Sequence, residues 1–139
     1  MIIKNAKILD YRGSAYKDIQ IKNGKIENIG KIEEFEIEGE RIVDGENKVL
    51  MPSFVDLHVH FRYPGFTYKE DILTGSKAAV KGGYTICNTM ANTKPVVDNI
   101  EVYNKIIEKN EEVGLIDLYQ IMSVTKDMKG EELIDFSTI

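Results

Sequence analysis

The hydrophobic pattern of the chain changes its period at Pro52, and this change limits the folds that the chain can adopt. Before Pro52, isolated Ile and Val residues alternate with Lys, Glu and Asn, a pattern typical of half-exposed β-strands. After Pro52, segments with helical spacing alternate with short β-rich runs, which predicts βα units and a parallel sheet. The sequence therefore predicts an α/β protein in which an all-β segment comes before the first βα unit.

Turn signals and helix caps give detail to both segments. Asn23-Gly24 fits a two-residue type I′ turn, which would place Ile21 opposite Ile26 across a hairpin. A second turn is expected at Asp44-Gly45. After Pro52 the predicted strands are Phe54 to Phe61, Tyr84 to Thr89 and Leu115 to Val124.

Two helices are predicted between these strands. A capping box of Thr67 and Glu70 would start the first helix at Tyr68, and Gly82-Gly83 would end it after Lys81. The second helix would be capped by Asp98 or Asn99, and residues 129–136 are expected to open a third. One face of the second helix would carry Ile100, Tyr103, Ile106 and Ile107.

The first of these strands lies in FVDLHVHFR, residues 54–62, which contains both histidines of the chain. A period of two predicts an apolar face of Val55, Leu57, Val59 and Phe61 and an ionisable face of Asp56, His58, His60 and Arg62. A half-solvated strand would explain this pattern, but a parallel sheet normally buries both faces of its strands. Buried ionisable groups need partners, and a metal ion is one such partner.

His58 and His60 have a spacing that suits metal binding, because residues i and i+2 of a strand project to the same side about 6.5–7 Å apart. We expect Asp56 to orient a histidine ring by accepting its other N–H, while a direct ligand or a strand-end acid stays open for this residue. Arg62 would bind a carboxylate through two parallel hydrogen bonds, with a solvated surface arginine as the alternative.

Composition excludes several classes of function. The 139 residues carry 18 Lys and Arg against 23 Asp and Glu, so nucleic acids and anionic membranes are not expected partners. No apolar run approaches the about 18 residues of a membrane-spanning helix. Cys87, the one cysteine, cannot form an internal disulfide, and the amino terminus lacks the apolar core of a secretory signal. These features predict a cytoplasmic protein.

Three motifs in order, DLHVHFRYPG, YKEDILTGSKAAVKGGYT and MANTKPVVDN, resemble the amino-terminal part of the bacterial dihydroorotases of the amidohydrolase superfamily. The resemblance implies the first strands of a (β/α)₈ TIM-type barrel, preceded by part of a small β-sandwich domain. We accordingly predict a partial β-sandwich over residues 1–51 and the first three βα units of the barrel over residues 52–139. It also implies a binuclear metal centre, usually of zinc, although histidine ligands leave the identity of the metal open.

The resemblance further implies the interconversion of dihydroorotate and N-carbamoyl-L-aspartate in pyrimidine biosynthesis. By position, His58 and His60 match metal ligands of the family, whereas Arg62 and Asn92 match residues that bind the carboxylate of the substrate. Taken without the resemblance, Asn92 is more simply a turn-forming residue.

The length of the chain leaves alternatives open, because a complete (β/α)₈ barrel takes about 250 residues. The chain has no third histidine, so we expect the later ligands and the general base to lie beyond Ile139 and the chain to be inactive alone. The alternatives are a non-catalytic dihydroorotase-like binding subunit and an allantoinase-like or hydantoinase-like cyclic amidohydrolase. Uncovered apolar faces predict a homo-oligomer, and a complex with another pyrimidine-pathway enzyme is left open.

Overall fold

The computed structural model describes residues 1–33 and 38–138, with the backbone alone at 138. These residues belong to two compact units, Met1–Pro52 and Ser53–Ile139. Four residues of the predicted first domain, 34–37, lie outside the described part of the chain. Neither helix that the structure describes has the length and apolar character needed to span a bilayer.

The described residues of the first unit form one five-stranded sheet. Its strands are β1 (Ile2–Asp10), β2 (Gly13–Lys22), β3 (Lys25–Gly30), β4 (Ile42–Asp44) and β5 (Val49–Leu50). The order is β3-β2-β1-β4, and β5 also pairs with β1. Asn23 and Gly24 have φ angles of 50° and 74°, and Ile21 pairs with Ile26. The predicted type I′ hairpin is therefore confirmed.

A buried carboxylate ties this sheet to the segment after β3. Asp18 accepts hydrogen bonds from Lys4 Nζ at 2.6 Å and from the backbone N–H groups of Asn5 at 3.0 Å and Ile32 at 3.1 Å. Burial alone would raise the pKa of Asp18, but these hydrogen bonds outweigh it and hold the pKa below its usual value. Asp18 is thus a fully paired structural group.

The second unit is a three-stranded parallel sheet with two helices packed against it. Its elements are β6 (Phe54–Val59), α1 (Ile72–Lys81), β7 (Tyr84–Thr89), α2 (Ile100–Val113) and β8 (Asp117–Gln120). The strand order is β6-β7-β8. The buried side chains at the centre of this unit include Phe61, Ile72, Cys87, Val97, Ile106 and Leu118. The predicted parallel βα arrangement is confirmed by this topology.

Helix α1 begins later than its sequence pattern suggests, so the predicted capping box of Thr67 and Glu70 is wrong. Residues 67–69 form a turn, closed by a 2.9 Å hydrogen bond from Lys69 N to Phe66 O. Asp71 has the extended backbone that a cap requires, with φ −129°, and its Oδ1 accepts from Thr74 N at 2.8 Å. At the other end, Gly83 has the left-handed φ of 85° that ends the helix, as predicted.

The last predicted helix, over residues 129–136, is wrong. Ile134 N donates to Val124 O at 3.1 Å, and Thr125 pairs with Leu133, so the chain folds back on itself here. Positive φ angles at Asp127, Met128 and Gly130 turn the backbone away from the helical region. Two short 3₁₀ turns flank the fold-back, Lys126–Met128 and Phe136–Thr138.

The second helix is capped by Asn99, one of the two predicted residues, whose side chain accepts from Val102 N at 3.0 Å. Its predicted apolar face is partly wrong, because Val102 and Ile106 are the buried residues while Ile100 is 37% exposed. Strand β8 covers less of the chain than the expected Leu115 to Val124, and β6 ends at Val59, two residues before Phe61.

Candidate functional site

A bulge in β6 breaks the predicted alternation of its two faces. Asp56 pairs with Cys87 and Val59 pairs with Thr89, so a step of three residues on β6 lies beside a step of two on β7. An extra residue of this kind interrupts the alternation of side chains. Every side chain after it therefore lies on the face opposite to the one predicted by a period of two. Asp56 therefore shares a face with Val59, and its predicted place on the histidine face is wrong.

The surroundings of Asp56 support this assignment. Burial raises the pKa of the neighbouring Cys87 thiol, and the charge of Asp56 raises it further. The carboxylate of Asp56 accepts a hydrogen bond of 3.1 Å from the backbone N–H of His58. Asp56 thus stabilises the backbone of the bulge, while no hydrogen bond links it to a ring nitrogen within residues 1–33 and 38–138.

The predicted apolar face of β6 is also divided by the bulge. Phe61 is only 5% exposed and packs against α1 so closely that a Cβ on Gly75 would lie 2.5 Å from the Phe61 ring. Val55 and Leu57, in contrast, are 47% and 68% exposed. Phe61 is therefore part of the buried core, whereas Val55 and Leu57 are not.

His58 and His60 lie side by side at the carboxyl end of β6. Their ring centroids are 5.2 Å apart and the ring planes meet at 66°. The His58 side chain is exposed, whereas His60 is half-buried and its Nδ1 lies 2.9 Å from Oδ1 of Asn92. This contact leaves Nε2 of His60 without a hydrogen-bonding partner among the described residues.

Asn92 reaches His60 because the carboxyl ends of parallel strands meet at one edge of the sheet. The backbone N–H of Met90 donates to Val59 O at 3.0 Å and continues the pairing of β6 with β7. The loop that follows is closed on itself by the hydrogen bond from Val97 N to Ala91 O, also 3.0 Å long. The backbone on either side of Asn92 is consequently held in place.

The loop after β6 packs directly on the loop that carries Asn92. Lys94 N donates to Pro64 O at 3.0 Å, and both loops contain a cis X-Pro bond. Gly65 has a φ of 91°, and a Cβ there would lie 2.1 Å from Lys94 O, so the two backbones meet at a position where only glycine fits. Arg62, at the start of this loop, is half-buried, and its guanidinium has no ion pair or hydrogen bond with the described part of the chain.

The ends of β7 and β8 are joined by a buried polar network that the sequence analysis missed. Thr89 Oγ1 donates to Gln120 Oε1 at 2.6 Å, and Gln120 Nε2 donates to Thr89 O at 3.1 Å. A second hydrogen bond from the same amide, 2.7 Å long, goes to Ile121 O. The signal for it was a polar residue at the end of each strand, and the network makes this edge of the sheet rigid.

The two imidazoles fit part of a metal site. Neutral imidazole nitrogens are common ligands of zinc and of several other divalent ions, and the adjacent rings leave Nε2 of His60 free to coordinate. A catalytic zinc ion generally has three protein ligands. Within residues 1–33 and 38–138, no group of three or more His, Cys, Asp and Glu could hold an ion. His58 and His60 therefore fit as two members of a ligand set that other residues would complete.

Comparison with known proteins gives consistent matches along the sequence. The sequence pattern of the "Dihydro-orotase-like" family matches residues 47–139. A dihydroorotase of Clostridioides difficile is 43% identical over all of this chain, and one of Sulfurihydrogenibium sp. is 45% identical. The chain spans 33% of the length of each of these relatives.

Solved structures of similar fold are hydantoinases. The L-hydantoinase (dihydropyrimidinase) of Arthrobacter aurescens superposes with a TM-score of 0.75 at 26% identity, over 89% of this chain and 28% of that one. The D-hydantoinase (dihydropyrimidinase) of Thermus sp. gives 0.73 at 31% identity, over 94% and 29%. These likenesses confirm the predicted fold class, the opening strands of a (β/α)₈ barrel after part of a β-sandwich.

Proposed function

Because the chain belongs to the dihydro-orotase-like family, we propose that it supplies the first metal ligands and the carboxylate-binding side chains of a dihydroorotase. The reaction is the interconversion of dihydroorotate and N-carbamoyl-L-aspartate. One observation carries the proposal: His58, His60 and Asn92 come together at the carboxyl ends of two parallel strands, where α/β-barrel enzymes bind their substrates.

The proposed substrate is an anion, and two side chains near the histidines suit its carboxylate. The guanidinium of Arg62 has no partner among the described residues, so its planar fork is available for a carboxylate. The amide of Asn92 can donate a further hydrogen bond. Together they would fix the orientation of the ring before its amide bond is opened or closed.

His58 and His60 would hold a divalent cation together with ligands from outside the described residues. When bound, such an ion supplies the Lewis acidity that polarises an amide carbonyl towards attack by water. Zinc as that ion, a homo-oligomeric state and the cytoplasm as the compartment stay predictions. The general base also stays unassigned.

A hydantoin-hydrolysing enzyme is the second candidate, favoured by the similarity to the two hydantoinase structures. Dihydroorotate carries a carboxylate on its ring, and unsubstituted hydantoin and dihydrouracil have none. The guanidinium of Arg62, which has no partner among the described residues, therefore favours dihydroorotate. A dihydroorotase-like binding subunit without activity is the third candidate, because the described residues supply only two histidine ligands.

A chimaera tests these candidates. The 139 residues replace the matching third of the Clostridioides difficile relative, which is 43% identical to this chain. We expect the chimaera to turn over dihydroorotate, and Arg62→Gln to lower kcat/KM for dihydroorotate by about 10²-fold or more, as expected when a charged carboxylate loses its partner. Hydrolysis of dihydrouracil would fall much less.

The matched control and the metal measurement separate the candidates further. Arg12→Gln removes an exposed guanidinium in the first unit and should leave both rates unchanged. His58→Ala should lower the metal content of the purified chimaera. A chimaera that hydrolyses only the uncharged rings would contradict the dihydroorotase proposal, and a folded, metal-loaded but inactive one would favour the binding subunit.

A further inference from the structure

Building on the proposed function, we infer that Asn92 is a positioning residue that holds His60 as its Nδ1–H tautomer and thereby presents Nε2 to the cation. The geometry behind this inference is the 2.9 Å contact between His60 Nδ1 and Asn92 Oδ1. This distance is typical of an N–H···O hydrogen bond.

The chemistry of the two groups assigns the proton. A neutral imidazole has one N–H donor and one acceptor nitrogen, whereas an amide oxygen can only accept. Nδ1 of His60 must therefore carry the proton when it faces Asn92 Oδ1, and the lone pair lies on Nε2. Free histidine favours the opposite tautomer, so Asn92 has to supply the preference.

Asn92 has the role that the sequence pattern predicted for Asp56, which is to accept the other ring N–H of a histidine. Histidines that bind metals usually donate their other ring N–H to an acceptor, which fixes the ring and raises its basicity. Asp56 is on the other face of β6 and accepts from the backbone N–H of His58 instead. Asn92 is the acceptor that the structure places next to a ring nitrogen of His60.

The backbone around Asn92 is arranged to keep this contact. Ala91 and Thr93, its neighbours in the chain, are both buried. Ala91 O accepts from Thr93 N at 2.9 Å and from Val97 N at 3.0 Å, and Thr93 Oγ1 donates to Pro95 O at 2.6 Å. The side chain of Asn92 therefore extends from a fixed backbone.

This arrangement divides the amide of Asn92 between two tasks. Oδ1 accepts from His60, so Nδ2 is the atom left to donate to the carboxylate of the substrate. Asn92→Asp keeps the acceptor and loses the donor, whereas Asn92→Ala loses both. The two variants consequently separate the tautomer of His60 from the binding of the substrate.

Nitrogen NMR of the imidazole rings tests the inference directly. The chain contains only two histidines, so ¹⁵N-histidine labelling gives two ring systems, and His58→Gln assigns them. In alkaline buffer without metal, long-range ¹H–¹⁵N correlations should show His60 with a protonated Nδ1 in the wild type and in Asn92→Asp. Asn92→Ala should shift His60 to mainly Nε2–H. Asn104→Ala, an exposed asparagine on α2, is the control and should change nothing.

Two results would overturn the inference: a wild-type His60 that is mainly Nε2–H, or a tautomer that Asn92→Ala leaves unchanged. The wild-type tautomer is read without Asn92→Ala, so misfolding of that variant cannot obscure it. A Zn²⁺ titration followed through the same signals should show affinity about 10–100-fold weaker in Asn92→Ala than in Asn92→Asp. If Zn²⁺ shifts the ¹⁵N signals of neither ring in the wild type, His58 and His60 are not the metal ligands. The tautomer of His60 would still test the role of Asn92 independently.

Discussion

The buried carboxylate of the first unit and the polar side chains at the candidate site of the second unit differ in how completely they are paired. In Met1–Pro52, the buried carboxylate of Asp18 accepts hydrogen bonds from Lys4, Asn5 and Ile32. In Ser53–Ile139, Arg62 has no partner among the described residues, and His60 has one on Nδ1 only. Paired polar groups stabilise a fold, whereas half-buried groups with free donors or acceptors are available for ligands.

The way each unit holds these groups differs as well. Asp18 is fixed by its own hydrogen bonds, so its position depends on side-chain pairing. Asn92 and Arg62 lie in loops that are fixed through backbone contacts, among them the hydrogen bond from Lys94 N to Pro64 O and the close approach of Gly65 to Lys94. The comparison therefore predicts where substitutions cost stability and where they cost binding alone.

The largest decrease in the free energy of unfolding is expected for Gly65→Ala. An alanine in the left-handed conformation costs about 1–2 kcal/mol, and overpacking from the clash of its Cβ with Lys94 O would cost about 1–3 kcal/mol more. Gly130→Ala is the matched control, because Gly130 has a φ of 74° and no atom within 4 Å of the added Cβ. Urea unfolding of both variants measures the difference, and equal losses would show that the loop contact contributes nothing.

A smaller loss, about 1–3 kcal/mol, is expected for Asp18→Asn in the free energy of unfolding at neutral pH. Since folding lowers the pKa of Asp18, its contribution is complete above the ordinary aspartate value of about 4 and is lost as the pH falls below it. The difference in the free energy of unfolding between the wild type and the variant should therefore become smaller at acid pH.

Urea unfolding at several pH values, with Glu27→Gln as the control, checks this expectation. Glu27 is exposed and lies 3.8 Å from Lys22, so the loss of its charge should cost less than about 1 kcal/mol. If the wild type and Asp18→Asn differ in the free energy of unfolding by the same amount at neutral and acid pH, the charge of Asp18 does not stabilise the sheet.

The smallest effect is expected for Arg62→Gln, which should change the free energy of unfolding by less than about 0.5 kcal/mol. The reason is that the guanidinium has no ion pair or hydrogen bond with the described residues, while glutamine keeps part of the aliphatic stem. Thermal unfolding of the variant beside the wild type is sufficient. A loss above about 1 kcal/mol would make Arg62 a structural residue and remove the contrast with Asp18.

Sequence signals that span a few residues predicted the parts of the fold that depend only on neighbouring residues. The Asn23-Gly24 hairpin, strand β7 and the Asn99 cap follow from φ preferences, alternation and capping chemistry within a few residues. The start of α1 could not be predicted in this way, because Thr67 and Asp71 are both suitable N-cap residues. The turn at 67–69 places the cap at Asp71. The pattern of residues 129–136 also favours a helix, but positive φ angles at Asp127, Met128 and Gly130 turn the chain back so that Thr125 pairs with Leu133.

Residue types and spacing in the sequence determined the candidates at the site. His58, His60, Arg62 and Asn92 were found from a strand with paired histidines and from motifs shared with a family. The partner of His60 was not found, because a single extra residue in β6 changes which face each side chain takes. A bulge of this kind has no reliable local signature.

The sequence by itself determined that this chain starts with a sheet, continues with parallel βα units and carries two histidines at the end of a strand. Only the tertiary structure decided that Asp56 leaves the histidine face and that Asn92 meets His60. The physical reason is range: turn, cap and periodicity preferences act over a few residues, whereas strand register and loop packing depend on backbones far apart in the chain.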